Sequence, residues 1–218
     1  MKLRFEQLTD HLQQGLRPIY LLSGDEPLQL GEAADAIRAA ARAQGFAERE
    51  VMHVEAGFDW NSLASASNTL SLFAEQRLID LRLPSGKPGR EGGAALSDYA
   101  ANPAPDTVLL ISCGKLDKNA AKAKWFKSLD KAGVTLQVWP VEATALPRWV
   151  QQRMRSRGLS ASPEAAQLLA ERVEGNMLAA AQEVEKLHLL YGEATIDAEM
   201  VEQGVADSAR YDIFELVD

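Results

Sequence analysis

Ile19-Tyr20-Leu21-Leu22-Ser23-Gly24-Asp25-Glu26-Pro27 decides how this chain is read. The apolar stretch Ile19–Leu22 reads as a strand, Ser23-Gly24 as a turn, and Leu30, Ala33, Ala34, Ile37 and Ala41 as the stripe of a following helix. In an ATP-binding α/β protein this order of elements carries the phosphate loop. Such a loop needs glycines that let backbone N–H groups curl round phosphates, a Lys for the β/γ charge and a Ser or Thr for Mg²⁺. No Gly-Lys-Thr follows Gly24. Asp25 and Glu26 stand at the helix N-terminus instead, and both are expected to satisfy the orphan N–H groups and the positive dipole end that a phosphate would use. An incoming nucleotide would meet two carboxylates. Two readings stay open: an ordinary strand-to-helix turn with an Asp cap, or a nucleotide-binding fold that has lost its nucleotide site.

Upstream, Phe5, Leu8 and Leu12 recur at helical spacing, and Gly15 with Pro18 closes that helix. Downstream, strands are predicted near Val51–Glu55, Arg77–Leu83, Thr107–Ser112 and Thr135–Trp139. Helices are predicted near Trp60–Thr69, Ala94–Ala101 and Asn119–Lys131. The stretch from Pro84 to Gly93, rich in glycine and proline, reads as a mobile loop. Continuous apolar strands alternating with helices predict a mostly parallel sheet covered on both faces. After Pro140 the strand signal disappears. Leu146–Arg157, a helix opened by Ser162-Pro163, Met177–Leu190 and a short helix capped by Asp197 predict a small all-helical unit.

Composition sets the limits. The 218 residues are 46% hydrophobic and 25% charged, as expected of a packed globular protein. Apolar runs such as Val108-Leu109-Leu110-Ile111 are too short to span a bilayer, and Glu6 stands where a signal peptide would be apolar, so a cytoplasmic protein without membrane contact is expected. The single cysteine, Cys113, allows no internal disulfide and reads as a buried thiol. His11, His53 and His188 lie far apart, no metal-binding or Gly-x-Ser-x-Gly pattern occurs, and Asp80, inside a strand without an acidic neighbour, reads as structural. The formal charge of −8 argues against free-standing DNA binding. Locally the balance reverses, with six lysines against two acids between Lys115 and Lys131. These lysines read either as a solvated helix face or as a contact for DNA or an acidic protein surface, with Lys115, Lys118 and Lys122 the candidates.

A parallel sheet followed by a small helical lid is the layout of the AAA+ module. Within it, five segments appear in order: Tyr20 to Pro27, Leu70-Ser71-Leu72-Phe73-Ala74, Gly114-Lys115-Leu116 with Trp125-Phe126, Leu146-Pro147-Arg148-Trp149-Val150, and Glu174-Gly175-Asn176-Met177-Leu178-Ala179. As an ordered set they resemble the delta subunit of the bacterial replicative clamp loader, part of the DNA polymerase III holoenzyme, over nearly the whole chain. The resemblance implies an AAA+-like α/β domain over residues 1–140 and a helical lid over 141–210. Residues 211–218, where Ile213, Phe214 and Leu216 begin a helical spacing that stops, would open a collar domain otherwise missing from a truncated chain.

The same resemblance implies a subunit of a DNA-directed DNA polymerase complex that binds and opens the sliding clamp during replication without hydrolysing ATP itself and without a cofactor. Its partners would be the clamp, the ATPase and stator subunits reached through the collar, and primed DNA only within the assembled complex. Ile111-Ser112-Cys113-Gly114 lacks the arginine of the Ser-Arg-Cys tripeptide that the ATPase and stator subunits carry. The clamp-binding plug maps to Leu72 and Phe73, with Leu70 and Ser71 alongside. Asn68 stands where the usual motif opens with Gln. The alternatives are a small-molecule or nucleotide-binding α/β enzyme, or an inactive AAA+ scaffold of another complex.

Overall fold

The computed structural model describes residues 1–68 and 76–204, the side chains of 66–68 excepted. Leu70, Ser71, Leu72, Phe73 and the 211–218 segment therefore lie outside the described residues, as does the side chain of Asn68. The chain divides between Trp139 and Pro140 into two units.

The first unit is built on a six-stranded sheet whose strands are all parallel: β1 (Lys2–Leu3), β2 (Ile19–Gly24), β3 (Glu48–His53), β4 (Arg77–Leu83), β5 (Thr107–Cys113) and β6 (Val134–Val138). Their spatial order is β1-β6-β2-β5-β4-β3. The helices are α1 (Leu8–Gln13), α2 (Pro27–Ala43), α3 (Asn61–Asn68), α4 (Gly89–Ala101) and α5 (Lys124–Ala132). Because successive strand side chains alternate faces, Ile19 and Leu21 join Ile79, Leu81, Leu109 and Ile111 beneath Leu63 of α3, Leu96 and Tyr99 of α4, and Trp125, Phe126 and Leu129 of α5. Tyr20 and Leu22 join Leu78, Val108, Leu110 and Leu136 against Leu8 and Leu12 of α1 and the Ala33-Ala34-Ile37-Ala41 stripe of α2. The sheet is thus parallel and covered on both faces, as the apolar runs predict.

Three boundaries differ from the sequence reading. β3 begins at Glu48 rather than Val51, since it is an edge strand defined by its ladder to β4, from Glu48 opposite Arg77 to His53 opposite Arg82, and most of its residues stay exposed. α4 begins at Gly89, inside the stretch expected to be loop. Its glycines serve packing: a Cβ on Gly92 would come within 2.3 Å of the Trp60 ring, and one on Gly93 would touch Trp125 at 3.5 Å. The lysine-bearing helix is split into a 3₁₀ turn, Ala120–Lys122, and α5. The strand β1 has no apolar signature. It is fixed by pairing with β6 and by the amino terminus, which donates to the carbonyls of Asp130 (2.9 Å) and Gly133 (2.7 Å).

The second unit holds α6 (Leu146–Ser156), α7 (Pro163–Arg172) and α8 (Met177–Tyr191), with residues 198–204 also helical. Ser162 and Asn176 cap α7 and α8, accepting from Ala165 N (3.1 Å) and Ala179 N (3.0 Å). Val150, Met154, Leu169, Ala180, Val184 and Leu187 are buried. Besides helices it contains one short parallel pair, β7 (Ser160–Ala161) with β8 (Thr195–Ile196), too brief to leave an alternating pattern in the sequence. Among the described residues no helix is long and apolar enough to cross a membrane.

Candidate functional site

In an open parallel sheet, ligands bind beyond the carboxyl ends of the strands where the connections diverge. Here the chain leaves β2 for β3 at one edge, and after β5 it crosses to β6 on the other side of β2. The crevice therefore opens between the ends of β2 and β5, at Ser23-Gly24 and Cys113-Gly114.

The chain fills this crevice with its own charges. Lys115 Nζ donates to Asp25 Oδ2 at 2.8 Å, and the same ammonium lies 5.3 Å from the centroid of the Trp139 ring. Glu26 caps α2, its Oε1 accepting from Leu28 N at 3.0 Å, while Pro27 at the first helical position has no N–H to offer. The expectation that both acids cap the helix thus holds for Glu26 alone. Asp25 turns instead to the ammonium on the neighbouring strand end. A phosphate entering here would have to displace the Glu26 carboxylate and compete with Asp25 for the lysine.

Hydrogen bonding from Lys115 holds the Asp25 carboxyl below its ordinary value. Folded Asp25 therefore binds its proton more weakly than the unfolded chain does. Its contribution to stability is complete above the ordinary carboxylate value and is lost as pH falls through the lowered one. Lys115→Ala is expected to move the Asp25 titration upward, as followed by carboxylate NMR. The unfolding midpoint at neutral pH should barely change, because a half-exposed pair contributes little.

Asp80 occupies a different place, inside the sheet. It is fully buried on β4, and its Oδ2 accepts from Arg38 Nε (3.0 Å) on α2 and Arg49 Nε (3.1 Å) on β3, with Arg82 Nη2 at 3.9 Å. All of these cations belong to the chain itself, in keeping with a structural carboxylate. Cys113 is buried, its Sγ–H donating to the Leu22 carbonyl at 3.4 Å, and burial pushes the thiol up to about 12, so it stays protonated and inert. Among the described residues no group of three or more His, Cys, Asp or Glu is placed to hold a metal ion.

Of the three nominated lysines, Lys115 is engaged with Asp25, whereas Lys118 and Lys122 are exposed. Lys124, Lys127 and Lys131, counted in the lysine-rich segment but not among the three candidates, join Lys122 around one shallow depression. Their spacing of three and four residues on one helix is the signal that would have found them.

The model of the family described as DNA polymerase III, delta subunit, matches residues 20–138. The chain is 37% identical over 213 residues to DNA polymerase III subunit delta of Escherichia coli, covering 98% of this chain and 62% of the relative. The corresponding protein of Haemophilus influenzae is 33% identical over 218 residues, with the same coverage of 98% and 62%. This chain thus spans about three fifths of the length of these curated relatives. Among solved structures, the Bacillus subtilis DNA clamp loader delta protein superposes with a TM-score of 0.69 at 23% identity, covering 91% of this chain and 61% of that one. The Thermotoga maritima RuvB R170A structure gives a TM-score of 0.56 at 10% identity over 93% of this chain and 66% of that one, a likeness of fold alone. With an AAA+-like sheet of this topology and a family match across most of it, the chain belongs to the DNA polymerase III delta subunit family.

Proposed function

We propose that this chain is the clamp-engaging part of a clamp-loader delta subunit, one that grips and opens a sliding clamp in the cytoplasm while neighbouring subunits hydrolyse ATP. Family membership supports the reading, and the observation that carries it is the switch-point crevice occupied by Asp25, Glu26 and Lys115. A subunit working through protein contacts has no need of a nucleotide there.

Residues 1–140 would act as the clamp-facing domain, 141–210 as the lid, and 211–218 as the approach to a collar that joins the other loader subunits. Primed DNA would be met within that assembly. Leu72 and Phe73 are the proposed plug, with Leu70, Ser71 and Asn68 beside them. A Leu and a Phe entering preformed pockets each gain roughly 1.5–3 kcal/mol before ordering costs. Opening the ring further requires that the plug bind the open clamp more tightly than the closed one.

Co-migration of the purified chain with a bacterial sliding clamp on size exclusion is the direct test. Leu72→Ala combined with Phe73→Ala is expected to weaken clamp binding more than tenfold in a titration while leaving the unfolding midpoint unchanged. Unaltered affinity would remove the plug assignment. Tight ATP or dinucleotide binding by the same preparation would favour a ligand-binding α/β enzyme instead.

A further inference from the structure

The helix α5 has two unlike faces. Trp125, Phe126 and Leu129 are buried under the sheet, while Lys124, Lys127 and Lys131, spaced three and four apart, project on the opposite side. With Lys122 from the preceding 3₁₀ turn and Ser128, these lysines line a depression of about 400 Å³. Among the described residues no carboxylate forms an ion pair with them; the lysine ion pairs are those of Lys115 and Lys186. The two acids of the segment are engaged elsewhere: Asp117 Oδ1 accepts from Asn119 N (2.8 Å) and Ala120 N (2.7 Å), and Asp130 Oδ1 accepts from Thr135 Oγ1 (2.6 Å). Among the described residues, a chain of formal charge −8 thus carries one face of lysines with no carboxylate paired to them.

We propose that Lys122, Lys124, Lys127 and Lys131 bind the phosphate backbone of nucleic acid. The chemistry of the face selects this partner over an acidic protein. Protein interfaces centre on buried apolar or aromatic anchors. The large exposed hydrophobics among the described residues are Met1, Val51, Trp139, Leu178, Leu189 and Leu190, and none of them lines this depression. Flexible ammonium groups without an apolar centre suit phosphates, which they contact as point charges without reading sequence. The rest of the acidic surface repels a polyanion and so limits contact to this side. None of these lysines belongs to the proposed plug, and the inference does not rest on the clamp reading.

The test is fluorescence anisotropy of the full 218-residue chain with short labelled DNA, duplex and single-stranded, over a range of KCl concentrations. Four phosphate contacts predict a duplex log K–log salt slope of about −3.6, a loss of about a hundredfold between roughly 50 and 200 mM salt. The variant K122Q/K124Q/K127Q/K131Q is expected to bind at least tenfold more weakly with a flatter slope, its thermal unfolding and any clamp binding unchanged. K2Q, on the β1 edge of the sheet, should behave as the parent. Stronger binding to the single strand than to the duplex supports the same face, because both present phosphates. Equal affinity of the quadruple variant and the parent for both DNAs overturns the proposal. So does tighter binding of poly-glutamate than of DNA, which would assign the face to an acidic protein.

Discussion

Asp80→Ala is expected to destabilise the Met1–Trp139 unit by about 3 kcal/mol, the range found when one partner of a buried ionic group is removed. Among the described residues Asp80 is the carboxylate that Arg38, Arg49 and Arg82 share, and the exposed Asp35 also pairs with Arg38 at 2.6 Å. Without it, Arg38, only 18% exposed, keeps its charge in a poorly hydrated place with two like charges nearby. Arg49 and Arg82 are 37% and 40% exposed and can swing toward water, which caps the loss.

The damage should concentrate on β3. That edge strand has few buried side chains, and Arg49 is its charged tie to the centre of the sheet. Amide exchange across residues 48–53 should therefore accelerate more than across β2 or β5. Asp80→Asn keeps the shape and one acceptor but no charge, and should fall between parent and Asp80→Ala. In urea unfolding, the midpoint should drop with the slope unchanged. A shift equivalent to less than about 1 kcal/mol would mean that the arginines hold β3 without the carboxylate. Because β3 leads through α3 into residues 69–75, the same variant tests whether a firm sheet edge is needed for the proposed clamp contact.

The central strands were legible because each is apolar on both faces, a pattern that only a doubly covered parallel sheet requires; β2 and β5 are buried along nearly their whole length. The edges were not. β1 and the start of β3 are defined by backbone pairing to a neighbour, which side-chain pattern does not encode. Glycine misled in α4, since Gly89, Gly92 and Gly93 read as loop until Trp60 and Trp125 are seen lying against the latter two. At the switch point the residue types were readable and their partners were not. The reach from Asp25 to Lys115 crosses 90 residues of sequence, so the helix end looked doubly capped when one acid was already committed elsewhere. For the lysines, charge counting found the segment, and helical spacing was needed to find the face.

Gly24→Ala is the second large effect expected, a loss of about 2–3 kcal/mol at the upper end of what overpacking costs. Gly24 lies opposite Val138 in the parallel ladder between β2 and β6. A Cβ there would stand 2.3 Å from the Val138 carbonyl oxygen and 2.4 Å from its Cγ2. The obstruction includes backbone, so no rotamer change relieves it, and β6 must move away from β2 at the mouth of the crevice. In a working phosphate loop a glycine in this neighbourhood admits the ligand; here it admits the adjoining strand. The two roles predict different outcomes. If Gly24 serves packing, the alanine variant unfolds at a lower temperature and ATP shifts neither melting curve. If it serves a nucleotide, stability is kept and an ATP-dependent rise in the parent's melting temperature disappears in the variant. The first pattern leaves the glycine as a packing residue beside a seat closed by the chain's own Asp25 and Lys115, while the second would reopen the nucleotide-binding alternative.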